Sequence, residues 1–472
     1  MEYLKEFKMK KFSIAIPENL NIQLCNHLVR DDKEEDLIFA LWNESVGLKR
    51  DTALICELIF PERGDRQRHG NVSFNPQYIK RVCKEAATKE CGIIFIHSHP
   101  FPGWQNMSND DIIAEKEKLS DTVEVLTGYP LVGMTVGSDK TWSGRRWLFN
   151  ENTNEYEIQW AENVRSVGGN LKIDYAHFLV PSPKFNKQFK RTRAVWGQVN
   201  HEKLAKMRIG IVGLGSVGSM VAEGLARMGM EKFVLIDFDT IEIHNLDRLV
   251  GSTKKDIGLY KVDIAKRQIN SVGTSANIDI NISNNSLYIE EAYKSAIDCD
   301  IIFSCVDRPR ARYILNHIAY SHLIPVIDGG IQVRFEGNDT NGYEFSGADW
   351  QLQTISPNKP CLQCLEVYST SDVSLEIDGM LDDVSYIKGL PKDLYKRKNN
   401  ENIFPFSSNL ASLEIFQLIA FATGAGDISN FGVQRFRYNP GIISQYFDRE
   451  CKSGCDFVKS IATGDRYIKV YD

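Results

Sequence analysis

The stretch Arg208–Gly251, RIGIVGLGSVGSMVAEGLARMGMEKFVLIDFDTIEIHNLDRLVG, leaves the backbone around it few options. An apolar run, Ile209–Val212, meets a cluster of glycines at Gly213, Gly215 and Gly218. A helical segment over Met220–Met228 follows, then a second apolar run that ends at Asp237. The pattern reads strand, tight turn, helix, strand. Glycines at such a turn let backbone N–H groups approach a phosphate, and the helix N-terminus adds the positive end of its dipole. An acid about 20 residues beyond the turn suits a ribose hydroxyl. Alone, a turn of this kind serves nicotinamide and flavin cofactors as well as triphosphates.

The residues after Asp237 narrow the choice. Asp239, Asn245 and Arg248 follow within DFDTIEIHNLDR, and Lys261 comes thirteen residues later. A dinucleotide has little use for so many cations and carboxylates. A triphosphate with magnesium needs both, cations against phosphate oxygens and carboxylates for the metal. The run NLDR after a D-x-D strand end resembles the ubiquitin-activating family. That family includes ThiF/MoeB-type enzymes that adenylate sulfur-carrier proteins. The resemblance spans about Arg191 to the C-terminus and implies ATP and Mg2+. It gives Asp307, in SCVDRPRAR, a role in holding magnesium and nucleotide; the plainer reading is that Asp307 caps the next helix. It also implies a homodimer, with Arg193 (Arg191 is nearby) reaching the triphosphate of the neighbouring subunit.

Strands and helices alternate onward. Ala276–Ile282, Asp300–Val306 and Pro325–Ile327 read as strands, the last closed by Asp328, Gly329 and Gly330. Ile289–Ala296 and Arg310–Ser321 read as helices. Such alternation predicts a doubly wound parallel sheet with ligands at the carboxyl ends of its strands. Ser408–Thr423 is apolar almost all round and reads as a buried helix capped by Ser407 or Ser408. The polar segment Asp372–Pro405 corresponds, by the resemblance, to a loop crossing over the carrier's tail. Some relatives keep a thioester-forming cysteine there. This chain has none between Cys364 and Cys451, which supports an adenylate and not a thioester in that loop.

Ten cysteines stand in a chain that lacks a signal peptide's apolar core, so thiols or metal ligands are expected in place of disulfides. Cys361-x-x-Cys364 and Cys451-x-x-x-Cys455 form two close pairs. Two such pairs suit one tetrahedral structural zinc, against the alternative of four unrelated buried thiols. The other cysteines show no ligand spacing.

The N-terminal half carries separate chemistry. Gly92–Ile96 reads as a strand ending in His97-Ser98-His99-Pro100, where residues two apart share a face. Ser108-Asn109-Asp110-Asp111 precedes a helix over Ile112–Leu119. Two histidines, one carboxylate and an open position for water form the pattern of a catalytic zinc. Ser-x-x-Asp is also a capping box, and the two readings are compatible. The runs HSHP and SNDD resemble the JAB/JAMM (MPN) metalloproteases, which cleave ubiquitin-like proteins from their partners. The resemblance implies Asp111 as third ligand, with Asp110 as the alternative set by loop length. It implies Glu35, or the adjacent Glu34, as general acid/base ahead of the run Leu37–Trp42. Ser108 would donate to the tetrahedral oxyanion.

The expected fold is α/β throughout. A JAB/MPN (cytidine-deaminase-like) domain occupies 1–178, and a Rossmann-like doubly wound sheet with structural zinc occupies 179–472. The boundary falls in the basic, proline-bearing segment Phe178–Arg193. Net charge is −6, which gives no nucleic-acid footprint, and no apolar run reaches membrane-spanning length. A cytoplasmic enzyme is expected. It would adenylate the tail of a ubiquitin-like protein and hydrolyse the peptide or isopeptide bond after it. The pairing resembles fused proteins of bacterial ubiquitination-like operons, some tied to antiviral defence, and allows a conjugating enzyme as partner. Three competitors stand beside it: processing of a sulfur-carrier protein, a nicotinamide-dependent oxidoreductase, and a non-catalytic scaffold.

Overall fold

The computed structural model describes residues 10–69, 71–184, 187–338, 342–382, 402–466 and 470–471. Most of the expected crossing segment, residues 383–401, lies outside them. Two large sheets carry the fold. The first is built from β1 (Lys11–Pro17), β2 (Leu37–Val46), β3 (Arg50–Ile59), β6 (Gly92–Ser98), β7 (Val132–Val136), β8 (Trp142–Asn150), β9 (Glu155–Trp160), β10 (Asn163–Val167) and β11 (Leu171–Tyr175). Their spatial order is β11-β10-β1-β3-β2-β6-β7-β8-β9, and β4 (Arg66–His69) and β5 (Asn71–Phe74) make a separate hairpin. β2 is apolar without alternation because both of its faces are covered. Leu37, Phe39 and Leu41 pack with Tyr78, Val82 and Ala86 of the helix Pro76–Lys89. Ile38, Ala40 and Trp42 pack with Leu24 and Leu28 of the helix Glu18–Leu28.

The second sheet contains β12 (Arg208–Val212), β13 (Lys232–Ile236), β14 (Asp279–Ser283), β15 (Ile301–Ser304), β16 (Val326–Asn338), β17 (Gly342–Ile355), β18 (Val433–Arg437) and β19 (Ile442–Tyr446). The order is β14-β13-β12-β15-β16-β17-β18-β19. β14 to β16 run parallel, and β17 to β19 continue antiparallel. Strand order reverses between β12 and β15, which makes their carboxyl ends the topological switch point where such sheets hold ligands. Among the described residues no helix is long and apolar enough to cross a membrane.

Several elements differ from the sequence reading. The helix after the glycine turn spans Ser216–Arg227, starting at once after Gly215 instead of at Met220. β14 begins at Asp279, not Ala276, and β15 is confined to Ile301–Ser304. β16 runs far past Ile327, because β17 supplies an antiparallel partner that carries Asp328, Gly329 and Gly330 inside the ladder. A Cβ at Gly329 would lie 2.0 Å from Glu414 Oε1, so this glycine admits a neighbour instead of ending a strand. The long apolar helix spans Phe404–Thr423 without a side-chain cap; the Ser216 hydroxyl donates to that of Ser407 instead. The helix expected over Ile112–Leu119 begins at Asn109 and passes through a π-helical stretch, Ile113–Leu119, before continuing to Thr127.

The boundary segment Phe178–Arg193 is anchored at both ends. Phe178 packs edge-on against Trp104 and Trp160. Phe189 is buried against His201. The two sheets also meet through buried charge. Asp300 accepts from Arg50 Nη1 at 2.6 Å, Arg165 Nη1 at 3.2 Å and the Arg208 backbone N–H at 2.9 Å. The C-terminal tail returns to the first sheet. Asn43 Nδ2 donates to the Ala462 carbonyl at 2.9 Å, and the Val46 N–H donates to Asp465 at 2.7 Å. Arg466 Nη1 donates to Asn43 Oδ1 at 2.9 Å and to Cys91 Sγ at 3.0 Å.

Candidate functional site

The glycine turn lies at the switch point. Gly213 has φ +87°, and a Cβ there would stand 2.5 Å from the Cys305 carbonyl at the end of β15. A Cβ at Gly218 would stand 1.9 Å from the Gly213 carbonyl. Chain packing therefore demands both glycines. Gly215 differs: nothing lies within 4 Å of its would-be Cβ, so its bareness faces open space at the helix N-terminus, as a cradle for an anion requires. Gly218→Ala should thus lower the unfolding midpoint by several degrees. Gly215→Ala should leave the midpoint within about 2 °C of the parent while weakening nucleotide binding. Thermal denaturation and ATP titration read the two effects.

Asp237 is buried and braces this turn. Its Oδ2 accepts from the Leu214 N–H at 2.6 Å and its Oδ1 from the Asp239 N–H at 2.8 Å, while burial pushes its carboxyl up. Lys261, first residue of the helix Lys261–Val272, donates to Asp239 Oδ2 at 2.6 Å. Arg248 Nη1 donates to the His244 carbonyl at 2.6 Å and Asp247 at 2.8 Å. Asn245 Oδ1 accepts from the Glu242 N–H at 2.9 Å and shapes the loop that carries Arg248. Asp307 is exposed just beyond β15, ahead of the helix Pro309–Ser321. Arg193 lies in the helix Lys190–Trp196, 3.7 Å from Glu202 of its own chain.

The sequence reading missed the buried layer beneath the crevice. Asp328 accepts from Ser304 Oγ at 2.6 Å, Arg312 Nε at 3.2 Å and Gln353 Nε2 at 2.8 Å. Glu414 lies beside them, fully buried; burial, and then the Asp328 charge, push its carboxyl well above the usual range. A single acid inside the apolar run Ser408–Thr423 was its only signal.

The second centre assembles at the end of β6. His97 Nε2 and His99 Nε2 stand 3.2 Å apart, with Asp111 Oδ1 3.1 Å from His97 and Asp111 Oδ2 3.3 Å from His99. These three side chains form one of two groups among the described residues that could hold a metal ion. Asp111 joins the imidazoles and Asp110 is not in the group. The capping box aims it: Ser108 Oγ accepts from the Asp111 N–H at 3.1 Å, and Asp111 Oδ2 accepts from the Ser108 N–H at 2.7 Å. Burial opposes ionisation of Asp111, but the hydrogen bonds from His97 and His99 outweigh it and hold the carboxyl well below the usual range.

Register explains Glu35. β2 pairs antiparallel with β6 with Leu37 opposite His97, and the same register carried two residues beyond the strand would bring residue 35 level with His99. Asp36 fixes that alignment, its carbonyl accepting from the Ser98 N–H at 3.0 Å and its own N–H donating to Ser98 Oγ at 2.9 Å. Burial raises the Glu35 pKa, with His99 and His97 pulling it back in part, whereas Glu34 is exposed. Behind the cluster, Thr135 Oγ1 lies 3.4 Å from His97 Nε2 and accepts from Arg145 Nη1 at 2.8 Å. Arg145 forks onto Glu115, a residue of the π-helical stretch.

The four cysteines are the second metal-capable group. Cys361 Sγ and Cys455 Sγ are 3.7 Å apart, close to the ~3.8 Å edge of a tetrahedron with metal–sulfur bonds of about 2.3 Å. Backbone N–H groups of Cys361, Cys364 and Lys452 donate to Cys451, Cys361 and Cys364 sulfurs, each at 3.3 Å, which favours thiolates.

Residues 189–441 match the ThiF family. Ubiquitin-like modifier-activating enzyme 5 of Caenorhabditis elegans is 32% identical over 130 residues, 25% of this chain and 31% of that protein. Molybdopterin-synthase adenylyltransferase of Escherichia coli (strain K12) is 28% identical over 166 residues, 35% of this chain and 60% of that protein. The chain spans about a third of the length of the curated relatives it matches first. A crystal structure of E. coli MccB with MccA-N7isoASN overlaps at a TM-score of 0.44 and 18% identity, covering 58% of this chain and 75% of that one. With residues 189–441, more than half of the chain, inside the ThiF family match, and with the glycine turn seated at the switch point of a doubly wound sheet, the chain belongs to the ThiF family.

Proposed function

We propose that the chain is a bifunctional enzyme acting on the C-terminal tail of a ubiquitin-like protein. The domain from 179 onward adenylates the tail carboxylate, and the domain 1–178, of JAB/JAMM type, hydrolyses the bond formed after it. One observation carries the reading: a complete His97–His99–Asp111 cluster, with Glu35 brought to its face, stands on the same chain as a ThiF-family glycine turn.

In the first reaction, backbone N–H groups of the turn Gly213–Gly218 hold the phosphates of ATP, and Arg248 and Lys261 neutralise their oxygens. The carrier's carboxylate oxygen attacks the α-phosphorus, giving an acyl adenylate and pyrophosphate. Asp307 would hold magnesium, which would supply charge neutralisation at the leaving group. Arg193 is assigned to the triphosphate of a second copy in a homodimer, a role that requires it to leave Glu202.

In the second reaction, zinc, when held by His97, His99 and Asp111, supplies Lewis-acid polarisation and a water of pKa lowered from about 16 to about 7. Glu35 takes a proton from the attacking water and returns it to the leaving amine, a task suited to a carboxyl raised by burial. The Ser108 oxygen accepts from the Asp111 N–H, which leaves its own proton to donate to the developing oxyanion. The four-cysteine site is assigned a structural zinc.

A second reading keeps both sites and replaces the ubiquitin-like modifier by a sulfur-carrier protein. The absence of any cysteine from 365 to 450 favours it, since the adenylate would then pass straight to a sulfur donor. A conjugating enzyme is the partner in the first case only.

The test measures two activities on one preparation: carrier-dependent ATP–pyrophosphate exchange and cleavage of a carrier fusion. Asp307→Ala is expected to lower exchange by at least about 100-fold and spare cleavage. Glu35→Gln is expected to lower cleavage similarly and spare exchange. Loss of both activities from either folded variant would refute the two-site assignment.

A further inference from the structure

The contact between the two sheets encloses a small cleft whose groups do not balance. It is lined by Arg50, Tyr175, Arg208, Lys232 and Asp300, with Lys206 at its edge over the Tyr175 ring, 5.6 Å from the ring centre. Arg165 stands behind, sharing Asp300 with Arg50. Arg50 Nε, Arg208 Nε and Nη1, Arg165 Nε and Nη2, and the Tyr175 hydroxyl are buried and have no hydrogen-bond partner. Arg50 is 1% exposed and Arg208 4%. All of these atoms are donors.

The acids present are already engaged. Asp300 serves Arg50, Arg165 and the Arg208 N–H. Asp298 accepts from the backbone N–H groups of Lys49 and Arg50, and Glu162 is paired with Lys11 at 2.5 Å. The cleft therefore holds an excess of buried positive charge and of unused donors. Either deficit is costly in a dry interior, and together they call for an acceptor that carries negative charge. Burial pushes the Lys232 ammonium down, which shows how little solvent compensates the cluster. The cleft has room for an occupant about the size of one water. A water accepts only two of the donors and brings no charge. Room of that size suits a monatomic anion better than a tetrahedral oxyanion.

We propose that this cleft is a binding site for one halide-sized anion, chloride in physiological salt, held by Arg50, Arg208 and Tyr175 and cementing the contact between the two sheets. The site is separate from both metal-capable groups and from the glycine turn, and its occupancy is independent of either proposed activity.

The full chain is crystallised from sodium bromide and examined by anomalous scattering at the bromine edge. The expected result is a bromide peak between Arg50 and Arg208. In parallel, thermal unfolding is followed at fixed ionic strength while chloride replaces glutamate. The midpoint should rise by a few degrees and saturate, and Arg208→Met should abolish the dependence. If Arg208→Met does not fold, Tyr175→Phe takes its place and should flatten the curve. Absence of an anomalous peak, a midpoint indifferent to chloride, or inorganic phosphate acting more strongly than chloride would overturn the proposal.

Discussion

Asp300→Ala will destabilise the whole chain by about 3–5 kcal/mol, read as a fall in the denaturant midpoint with little change in slope. The carboxylate is buried, and it serves two guanidiniums and a backbone N–H at once. Removing it leaves Arg50 and Arg165 charged and without their acceptor in the interior, which costs more than the pair contributed. Asp300→Asn keeps one acceptor oxygen and should lose less. The same residue sets a pH limit. Burial opposes its charge, but Arg50 and Arg165 outweigh that and hold the carboxyl down to about 2. A carboxyl depressed on folding gives its full stabilisation above the ordinary carboxylate range and loses it as pH falls toward 2. Acid unfolding of the parent between about pH 4 and pH 2 should therefore be blunted in Asp300→Asn.

The second large effect concerns the four cysteines. With zinc held there, Cys361→Ser will remove one equivalent of metal and lower the thermal midpoint by more than about 10 °C. Structural zinc sites carry roughly 10–16 kcal/mol of binding energy in small peptides, part of which folding retains here through the core around Tyr320 and Phe457. The damage should also be remote. Cys451 and Cys455 lead directly into residues 462–466, which pack on β2. Hydrogen exchange should speed up at Asn43–Val46 of the first sheet as well as around the cysteines. Metal analysis and exchange mass spectrometry check both parts. Unchanged protection at β2 would show that the tail holds without its metal.

The sequence was informative wherever one local pattern had one physical solution. Gly218 is demanded by a contact of 1.9 Å to Gly213 within the turn itself, so the turn was readable from spacing, although the 2.5 Å contact that demands Gly213 comes from Cys305 on another strand end. The paired cysteines and the HSHP run are short-range patterns of the same kind. Glu35 and Asp111 were read with Glu34 and Asp110 as alternatives. The choice depends on strand register and on a capping box; Asp111 lies with the imidazoles, and Glu35 is placed only by carrying the Leu37–His97 pairing two residues beyond the strand. The length of β16 was not legible, because it depends on pairing with β17 across the sheet. Neither was the contact between the sheets. Arg50, Arg165 and Asp300 are ordinary charges on separate strands or strand ends, and nothing near any of them announces a partner 135 or more residues away. Glu414 and Arg145 belong to the same class: single charges whose partners only the fold supplies.

The tail that closes over β2 has a consequence for how the chain is made. Arg466 reaches Cys91 across 375 residues, so the surface it covers emerges from the ribosome long before its cover exists. The first sheet must wait, with Asn43 and Cys91 uncapped, until the other half has been synthesised and has folded far enough to return the strap. Stopping translation before residue 460 would leave a protein whose early half is finished in sequence and unfinished in structure.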